Sequence, residues 1–389
     1  MAISHPMLAE LEAGLAELSE QHLLRQRRVV QGPQDTRVQV DGRSLLNFCS
    51  NDYLGLANDA RLRSAASMAI VHYGVGSGAS HLVCGHQLPH EQLEARFAAL
   101  LRLPAALGFG SGYMANLGVI TALLGRGDAV FADKLNHASL NDACLLSRAD
   151  FQRFAHNDLA ALEGLLARCT ARRKLIAVDA VYSMDGDLAP LPALLALAER
   201  YDAWLYVDDA HGFGVLGEGR GSLAHWGLSS PRLIYLATLG KAVGSAGALV
   251  AGPQAVISWL QNKARTAIYT TAALPAQAAA ALAALEIIAN DAGRRSQLQA
   301  RIAQLRTGLA ASSYRLLDSP TPIQPILLES SAQALQLAQA LWQRGFWVAA
   351  IRPPTVPSAR LRITLSAAHS EAEVACLLAA LLELERDVA

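Results

Sequence analysis

An α/β fold is predicted: a mainly parallel seven-stranded sheet in a large domain, a smaller α+β C-terminal domain, and an N-terminal helical segment. Three observations carry this reading. Seven short apolar runs, AALGF, AVFAD, FQRFA, LIAVDAV, WLYVD, LIYLAT and GALVAG, alternate with helical stretches between about Leu88 and Gly252, as strands buried on both faces do. Polar residues cluster directly after several of these runs, where open α/β sheets place their ligands. The last hundred or so residues change character, with IQPILLE, FWVAAI and ARLRITL interleaved with two helical stretches. The corresponding boundaries are 1–50 for the N-terminal helix and hairpin, 51–290 for the large domain and 291–389 for the small one.

The elements follow in order. Leu8, Leu11, Leu15 and Leu18 recur at helical spacing, predicting an amphipathic opening helix that ends in the basic cluster RQRR. TRVQVDGRSLLNF reads as a hairpin turned at Asp41 and Gly42. The strand–helix alternation then builds the large sheet. TAALPAQAAAALAALEIIA is interrupted by Pro275, Gln277 and Glu286 and reads as a buried helix, not a membrane span. No internal repeat or low-complexity linker separates the parts.

Composition narrows the function classes. Of the 389 residues, 52% are hydrophobic and 17% charged, which excludes extensive disorder. Thirty-three basic residues balance 33 acidic ones, so no net field favours nucleic acid or an anionic membrane. The five cysteines, Cys49, Cys84, Cys144, Cys169 and Cys376, contain no C-x-x-C pair and read as buried thiols in a reducing compartment. The N-terminus carries glutamates where a signal peptide needs a basic end and an apolar block, so a cytoplasmic location is expected.

The chemistry lies at the strand ends. In TLGKAVGSAGA, Lys241 follows a buried run and is flanked by Gly240, Gly244, Ser245 and Gly247, which suits close approach of another body. Partial burial lowers a lysine's pKa and prepares it for Schiff-base chemistry. WLYVDDAHGFG puts Asp208 and Asp209 at the end of a strand, so they face opposite ways and at least one needs a cation. A charge pair about 4 Å apart is worth roughly 4 kcal/mol at an effective dielectric near 20, or about three pKa units, enough to hold a pyridine nitrogen protonated. A strand-end acid, a loop lysine further along the chain and histidines between them are what pyridoxal phosphate (PLP) needs.

GSGYMAN, between a strand and a helix, is a natural phosphate seat. GVGSGAS lacks both the preceding strand and the spacing of a dinucleotide fingerprint. His137 and His211 have two readings each: core histidines satisfied by backbone, or groups that stack on a cofactor ring or bond its phenolate. His81, His86 and His90 match no zinc spacing, and no acidic ligand is expected beside them, so no metal is expected.

The ordered set SNDYLGL, GSGASHLVCGHQLPHEQLE, GYMAN, NHASL, YSMDGD, VDDAHG, TLGKAVGSAGA, IYTTAALP and IRPPTVPSARLRITLSAAH runs through nearly the whole chain. It resembles the α-oxoamine synthases of the fold-type-I PLP enzymes, and most of all those condensing L-alanine with a pimeloyl thioester. The resemblance implies that Lys241 carries the cofactor as a Schiff base, Asp208 pairs with the pyridine nitrogen and His137 stacks on the ring. His211 and Ser183 are then expected at the ring's polar substituents, and Gly112, Tyr113 and Thr238 around the rest of the cofactor. Thr270 and Thr271 match the segment that reaches the phosphate across a homodimer interface, so the active sites are expected to be shared between two copies.

On the substrate side the resemblance implies Arg25, His137, Arg352 and Thr355, with Arg362 competing with Arg352 for the amino acid carboxylate. Arg360 and Arg362 alternate on what reads as an edge strand, with at most one facing the site. Phe213, the GKAVG run and Asp179 depart from the family's commoner residues and bear on the acyl channel. The resemblance implies pimeloyl-CoA or pimeloyl-acyl carrier protein as the acyl donor. Two alternatives stand beside this reading. One is another family activity, such as glycine C-acetyltransferase, 5-aminolevulinate synthase or serine palmitoyltransferase. The other is a non-catalytic α/β binding protein, colourless and indifferent to loss of Lys241.

Overall fold

The computed structural model describes residues 5–21, 23–25 and 27–388. The chain opens with the helix Pro6–Glu20 and strands β1 (Val30–Gln31), β2 (Arg37–Val40) and β3 (Arg43–Asn47). The β2–β3 hairpin turns at Asp41 (φ 50°) and Gly42 (φ 77°), the paired left-handed residues that a tight two-residue turn requires. Leu8, Leu11, Leu15 and Leu18 do form a helix, but none of its residues is buried. It also stops at Glu20, short of the basic cluster.

The large sheet is built from β4 (Ala105–Phe109), β5 (Ala129–Asp133), β6 (Asp150–Phe154), β7 (Lys174–Asp179), β8 (Trp204–Asp208), β9 (Leu233–Thr238) and β10 (Ala248–Gly252). Its order is β4-β10-β9-β8-β7-β5-β6. The pairs among β9, β8, β7, β5 and β6 are parallel, and β10 runs antiparallel to both its neighbours. Continuous apolar sequence makes these central strands, because helices cover both faces and leave no solvent side to select polar residues. The alanine-rich helix Pro275–Asn290 buries Ala278, Ala281, Ala284 and Leu285 and packs against the helices Ala60–Tyr73 and Leu88–Leu101.

Beyond residue 290 come β11 (Arg315–Leu316), β12 (Ile323–Leu327), β13 (Phe346–Trp347), β14 (Ala349–Ile351) and β15 (Arg360–Thr364). FWVAAI therefore splits at Val348: β14 joins an antiparallel sheet of order β11-β12-β15-β14, while β13 pairs in parallel with β3 of the N-terminal hairpin. The region after residue 290 carries three helices, Ala292–Leu309, Ser331–Gln343 and Glu371–Val388. The cysteines are unpaired; Cys144 is buried, but Cys84 and Cys376 are exposed, against the expectation of buried thiols. Among the described residues, no helix is long and apolar enough to cross a membrane.

One ion-pair cluster pins the loops at the carboxyl end of the sheet. His156 Nδ1 lies 3.1 Å from Asp133 at the end of β5, and its Nε2 lies 2.8 Å from Asp187, beyond β7. Burial alone would lower the imidazole's pKa, but these two carboxylates outweigh it and raise it to about 9. A folded pKa above the unfolded one gives stability that is complete below about pH 6.5 and is lost as pH rises through about 9. The ring is partly exposed, so screening leaves about 2–3 kcal/mol of the contribution. Urea unfolding at about pH 6 and about pH 10 is expected to show this loss in the parent and a correspondingly smaller one in His156→Gln. Equal losses in both proteins would refute the linkage.

Candidate active site

The carboxyl ends of β5, β7, β8 and β9 converge on a cavity of about 170 Å³. Gly112, Tyr113, His137, Ser183, Asp208, His211, Thr238 and Lys241 all line it, so eight residues singled out in the sequence meet at one place. Lys241 sits in the turn after β9 and donates from Nζ to Thr238 Oγ1 at 3.3 Å. Burial lowers its pKa, with Asp208 and Asp179 pulling the other way and Arg362 adding to the decrease. The close approach inferred from the flanking glycines is made by the chain itself. A Cβ on Gly244 (φ +69°) would lie 2.4 Å from Ala57 N, whereas one on Gly240 would meet only Ser245 O at 3.7 Å.

Asp208 ends β8 in register with Asp179 at the end of β7. Asp208 Oδ2 accepts from Asn116 Nδ2 at 2.8 Å and Oδ1 from the Ala210 N–H at 3.1 Å. Asn116 is itself held, accepting from Tyr206 Oη at 2.7 Å. Burial, then the neighbouring Asp208 charge, pushes Asp179 well above the usual carboxylate range, although it accepts from the His137 N–H at 2.9 Å. A second negative charge on Asp179 is therefore disfavoured beside Asp208.

Asp209 points to the opposite side, as strand alternation demands. It needs no cation: Ser222 N, Ser222 Oγ and Tyr235 Oη each donate to it at 2.6 Å. Burial raises it to about 6 against those bonds.

His137 caps the helix Ala138–Ser147; its Nδ1 accepts from Ser139 N at 3.3 Å and lies 2.7 Å from Ser139 Oγ. His211 is buried with Nδ1 2.7 Å from Tyr53 Oη, and burial followed by the Lys241 charge drives its pKa well below the usual value. Both rings are thus neutral. The helix Gly112–Leu123 starts at the cavity, capped by Ser111, which accepts from Met114 N at 3.2 Å. The N–H groups of Gly112 and Tyr113 belong to its first turn, which has no intrahelical acceptor. A Cβ on Gly112 would come within 2.6 Å of Thr238 Cγ2. Tyr113 donates its hydroxyl to Asp142.

β15 lies between β12 and β14, so it is not an edge strand, and its alternate residues Arg360 and Arg362 share a face. Both guanidinium groups are buried. Arg360 pairs with Asp185. Arg362 donates from Nε to Ser183 O at 2.7 Å and from Nη1 and Nη2 to Asn51 Oδ1 at 3.3 Å, and its charge acts on Lys241 and His211. Arg25 and Thr355 are exposed and Arg352 is half-buried, all three outside the cavity lining. Thr270 and Thr271 also lie outside that lining in a single chain.

Asn51, Tyr53 and Asn116 are site residues that received no role from the sequence. Their motifs, SNDYLGL and GYMAN, were the available signal. A further difference concerns His81, His86 and His90: Glu91 and Glu94 are beside them, with His86 Nε2 3.0 Å from Glu91 Oε2. The helix Leu88–Leu101 turns these carboxylates back onto the histidines, which sequence spacing concealed.

The donor set fits a phosphorylated pyridine aldehyde. It offers a lysine amine of lowered pKa, one buried carboxylate held by an amide, two neutral imidazoles and a helix N-terminus cleared of side-chain bulk. With the seven-stranded sheet, this defines a fold-type-I PLP transferase. A family model described as aminotransferase class I and II matches residues 43–381. The 8-amino-7-oxononanoate synthase of Chromobacterium violaceum is 61% identical over 373 residues, covering 95% of this chain and 97% of its own. That of Herminiimonas arsenicoxydans is 60% identical over 379 residues, covering 95% and 98%. Among solved structures, Sphingomonas wittichii serine palmitoyltransferase is 30% identical with a TM-score of 0.91, covering 100% of this chain and 98% of its own. An 8-amino-7-oxononanoate synthase from Francisella tularensis is 31% identical with a TM-score of 0.77, covering 88% and 98%. The chain belongs to the 8-amino-7-oxononanoate synthase family of PLP-dependent acyltransferases, within aminotransferase class I and II.

Proposed function

We propose that this chain condenses L-alanine with a pimeloyl thioester in biotin biosynthesis, releasing 8-amino-7-oxononanoate, CO2 and the free thiol. The observation that carries the mechanism is that Lys241 and Asp208, from adjacent strand ends, line one cavity. Lys241 Nζ would hold the cofactor's aldehyde carbon, Asp208 its ring nitrogen and His137 its face. His211 and Ser183 would take the ring's polar substituents, and Gly112, Tyr113 and Thr238 would seat it. Thr270 and Thr271 of a second copy would complete the phosphate site, making the working unit a homodimer.

Bound there, the PLP ring supplies an electron sink for negative charge at the amino acid's α-carbon. Lys241, once free and neutral, takes the α-proton as a general base. A bond then forms between that carbon and the thioester carbonyl carbon; the C–S bond breaks and the thiol leaves. The original carboxylate departs as CO2 because the new ketone is β to it, and a proton returns to the α-carbon. His137, neutral at this site, would donate a hydrogen bond to the incoming carbonyl. Arg362 is the better partner for the alanine carboxylate than Arg352, because its buried guanidinium is fixed by Ser183 O and Asn51 beside the cavity.

The test is product mass after incubating the holoenzyme with L-alanine and either pimeloyl-CoA or the pimeloyl carrier protein. Formation of 8-amino-7-oxononanoate with either donor supports the reading. Products only from glycine or serine with other acyl thioesters would replace it with another family activity. Colourless protein without turnover would leave a binding protein.

A further inference from the structure

We propose that Arg360 is a positioning residue for the amino acid: by clamping the loop after β7 it aims the Arg362 guanidinium at the alanine carboxylate, an inference that rests on the reading of Arg362 given above. Loop 183–187 leaves β7 as a tight hairpin whose own bonds close its base. Val181 bridges Leu188, Tyr182 N donates to Asp187 O at 3.1 Å and Gly186 N to Tyr182 O at 2.8 Å. The tip is held from the C-terminal region. Alternate residues of β15 face one way, and its two arginines grip successive steps of the loop. Arg362 Nε donates to Ser183 O at 2.7 Å, while Arg360 Nη1 donates to Met184 O at 3.4 Å and pairs with Asp185. Next along, Gly186 O accepts from Ser319 Oγ at 2.9 Å and Thr321 Oγ1 at 3.2 Å. The approach is close: a Cβ on Gly186 (φ +73°) would lie 2.3 Å from Ser319 Oγ and 2.6 Å from Ile323 O.

Stability is a poor reason for an ion pair buried this deep. Desolvating the guanidinium costs about as much as the pairing contributes, and an apolar pair of similar volume does as well. Geometry is the better reason. Arg360 Nε donates to Ser358 O at 3.2 Å and Nη2 to Ser358 Oγ at 3.1 Å, which turns Nη1 toward the loop. Ser183, two residues before Asp185, lines the cofactor cavity. Its carbonyl fixes the Nε edge of Arg362, as Asn51 Oδ1 fixes the other two nitrogens. A loop released at Asp185 would carry Ser183 O away from that edge. A guanidinium fork that meets a carboxylate through two parallel bonds tolerates little misalignment.

The test is binding without turnover. Holoenzyme without thioester is titrated with L-alanine and with ethylamine, which is alanine lacking its carboxylate, each followed by the absorbance of the bound PLP. Arg360→Met combined with Asp185→Leu removes both charges together and leaves no unpaired ion. Its affinity for L-alanine is expected to fall about tenfold while that for ethylamine moves less than about threefold. Arg360→Lys, which keeps a cation beside Asp185, is expected to recover part of the loss. General loosening of the fold would move both ligands alike, so equal weakening overturns the proposal. Alanine affinity within about threefold of the parent also overturns it. Should the double variant fail to fold, Asp185→Asn, on the more exposed side of the pair, decides by the same comparison. Arg362→Lys separates this proposal from the reading beneath it. Weaker alanine binding there, with none in the Arg360 variants, sinks the clamp alone; unchanged binding there sinks the carboxylate assignment and the clamp with it.

Discussion

Lys241→Ala is expected to give a folded protein with turnover at least about 10³-fold lower and no borohydride-reducible cofactor adduct. The fold survives because the turn is held by backbone, not by the ammonium: Gly244 N donates to Lys241 O at 2.9 Å and Ser245 N to Leu239 O at 2.8 Å. The one side-chain bond given up is the 3.3 Å contact to Thr238. Removing a buried cation also relieves its desolvation, and Asp208 keeps both donors from Asn116 and Ala210. A small stability change is therefore expected beside a large catalytic one. The lost groups are the covalent anchor and the base whose pKa burial had already brought down. Two measurements check this, absorbance after borohydride treatment and steady-state turnover with and without added ethylamine. A small amine that fits the vacated space is expected to restore part of the rate. Turnover within tenfold of the parent, with no amine added, would remove Lys241 from the chemistry.

Much of this arrangement was legible from sequence, for identifiable reasons. The five inner strands of the large sheet, β5 and β7 to β10, are short continuous apolar runs, since burial on both faces suppresses polar alternation. Asp41 and Gly42 mark their hairpin because so few residues tolerate the left-handed backbone there. Strand ends point to the cavity because side-chain alternation decides which acid faces it. What escaped reading depends on contacts between distant segments. The donors that satisfy Asp209 come from Ser222 and Tyr235, and nothing in DDAHG announces them. The central position of β15 follows from pairing with β12 and β14. The break of FWVAAI at Val348 arises because β3 competes with β15 for its residues. Asn116 reads as an ordinary helix residue until the fold sets its amide between Tyr206 and Asp208. Glu91 and Glu94 join the histidines only once a helix start is placed at Leu88.

The two register-paired acids should respond unequally to loss of charge, which separates an electronic role for Asp208 from a merely structural one. Asp208→Asn is expected to lower turnover about 10³-fold, the equivalent of roughly three pKa units of support for a protonated ring nitrogen. The substitution also disturbs geometry. Asn116 Nδ2 and Ala210 N donate to opposite carboxylate oxygens, so an amide at 208 must turn its own NH2 toward one of them. That mismatch costs about 1–3 kcal/mol. Asp179→Asn provides the control. Asp179 is the same kind of side chain at the same level of the next strand, but burial and Asp208 hold its pKa so high that it is already neutral. An amide oxygen can still accept from the His137 N–H, the contact Asp179 makes at 2.9 Å. Turnover of Asp179→Asn is therefore expected within about tenfold of the parent. Steady-state rates and the cofactor's visible spectrum, measured on both variants after saturation with PLP, decide the matter. Equal losses in the two would mean that the carboxylate at 208 acts by shape and hydrogen bonding, and that its charge is not what sustains the reaction.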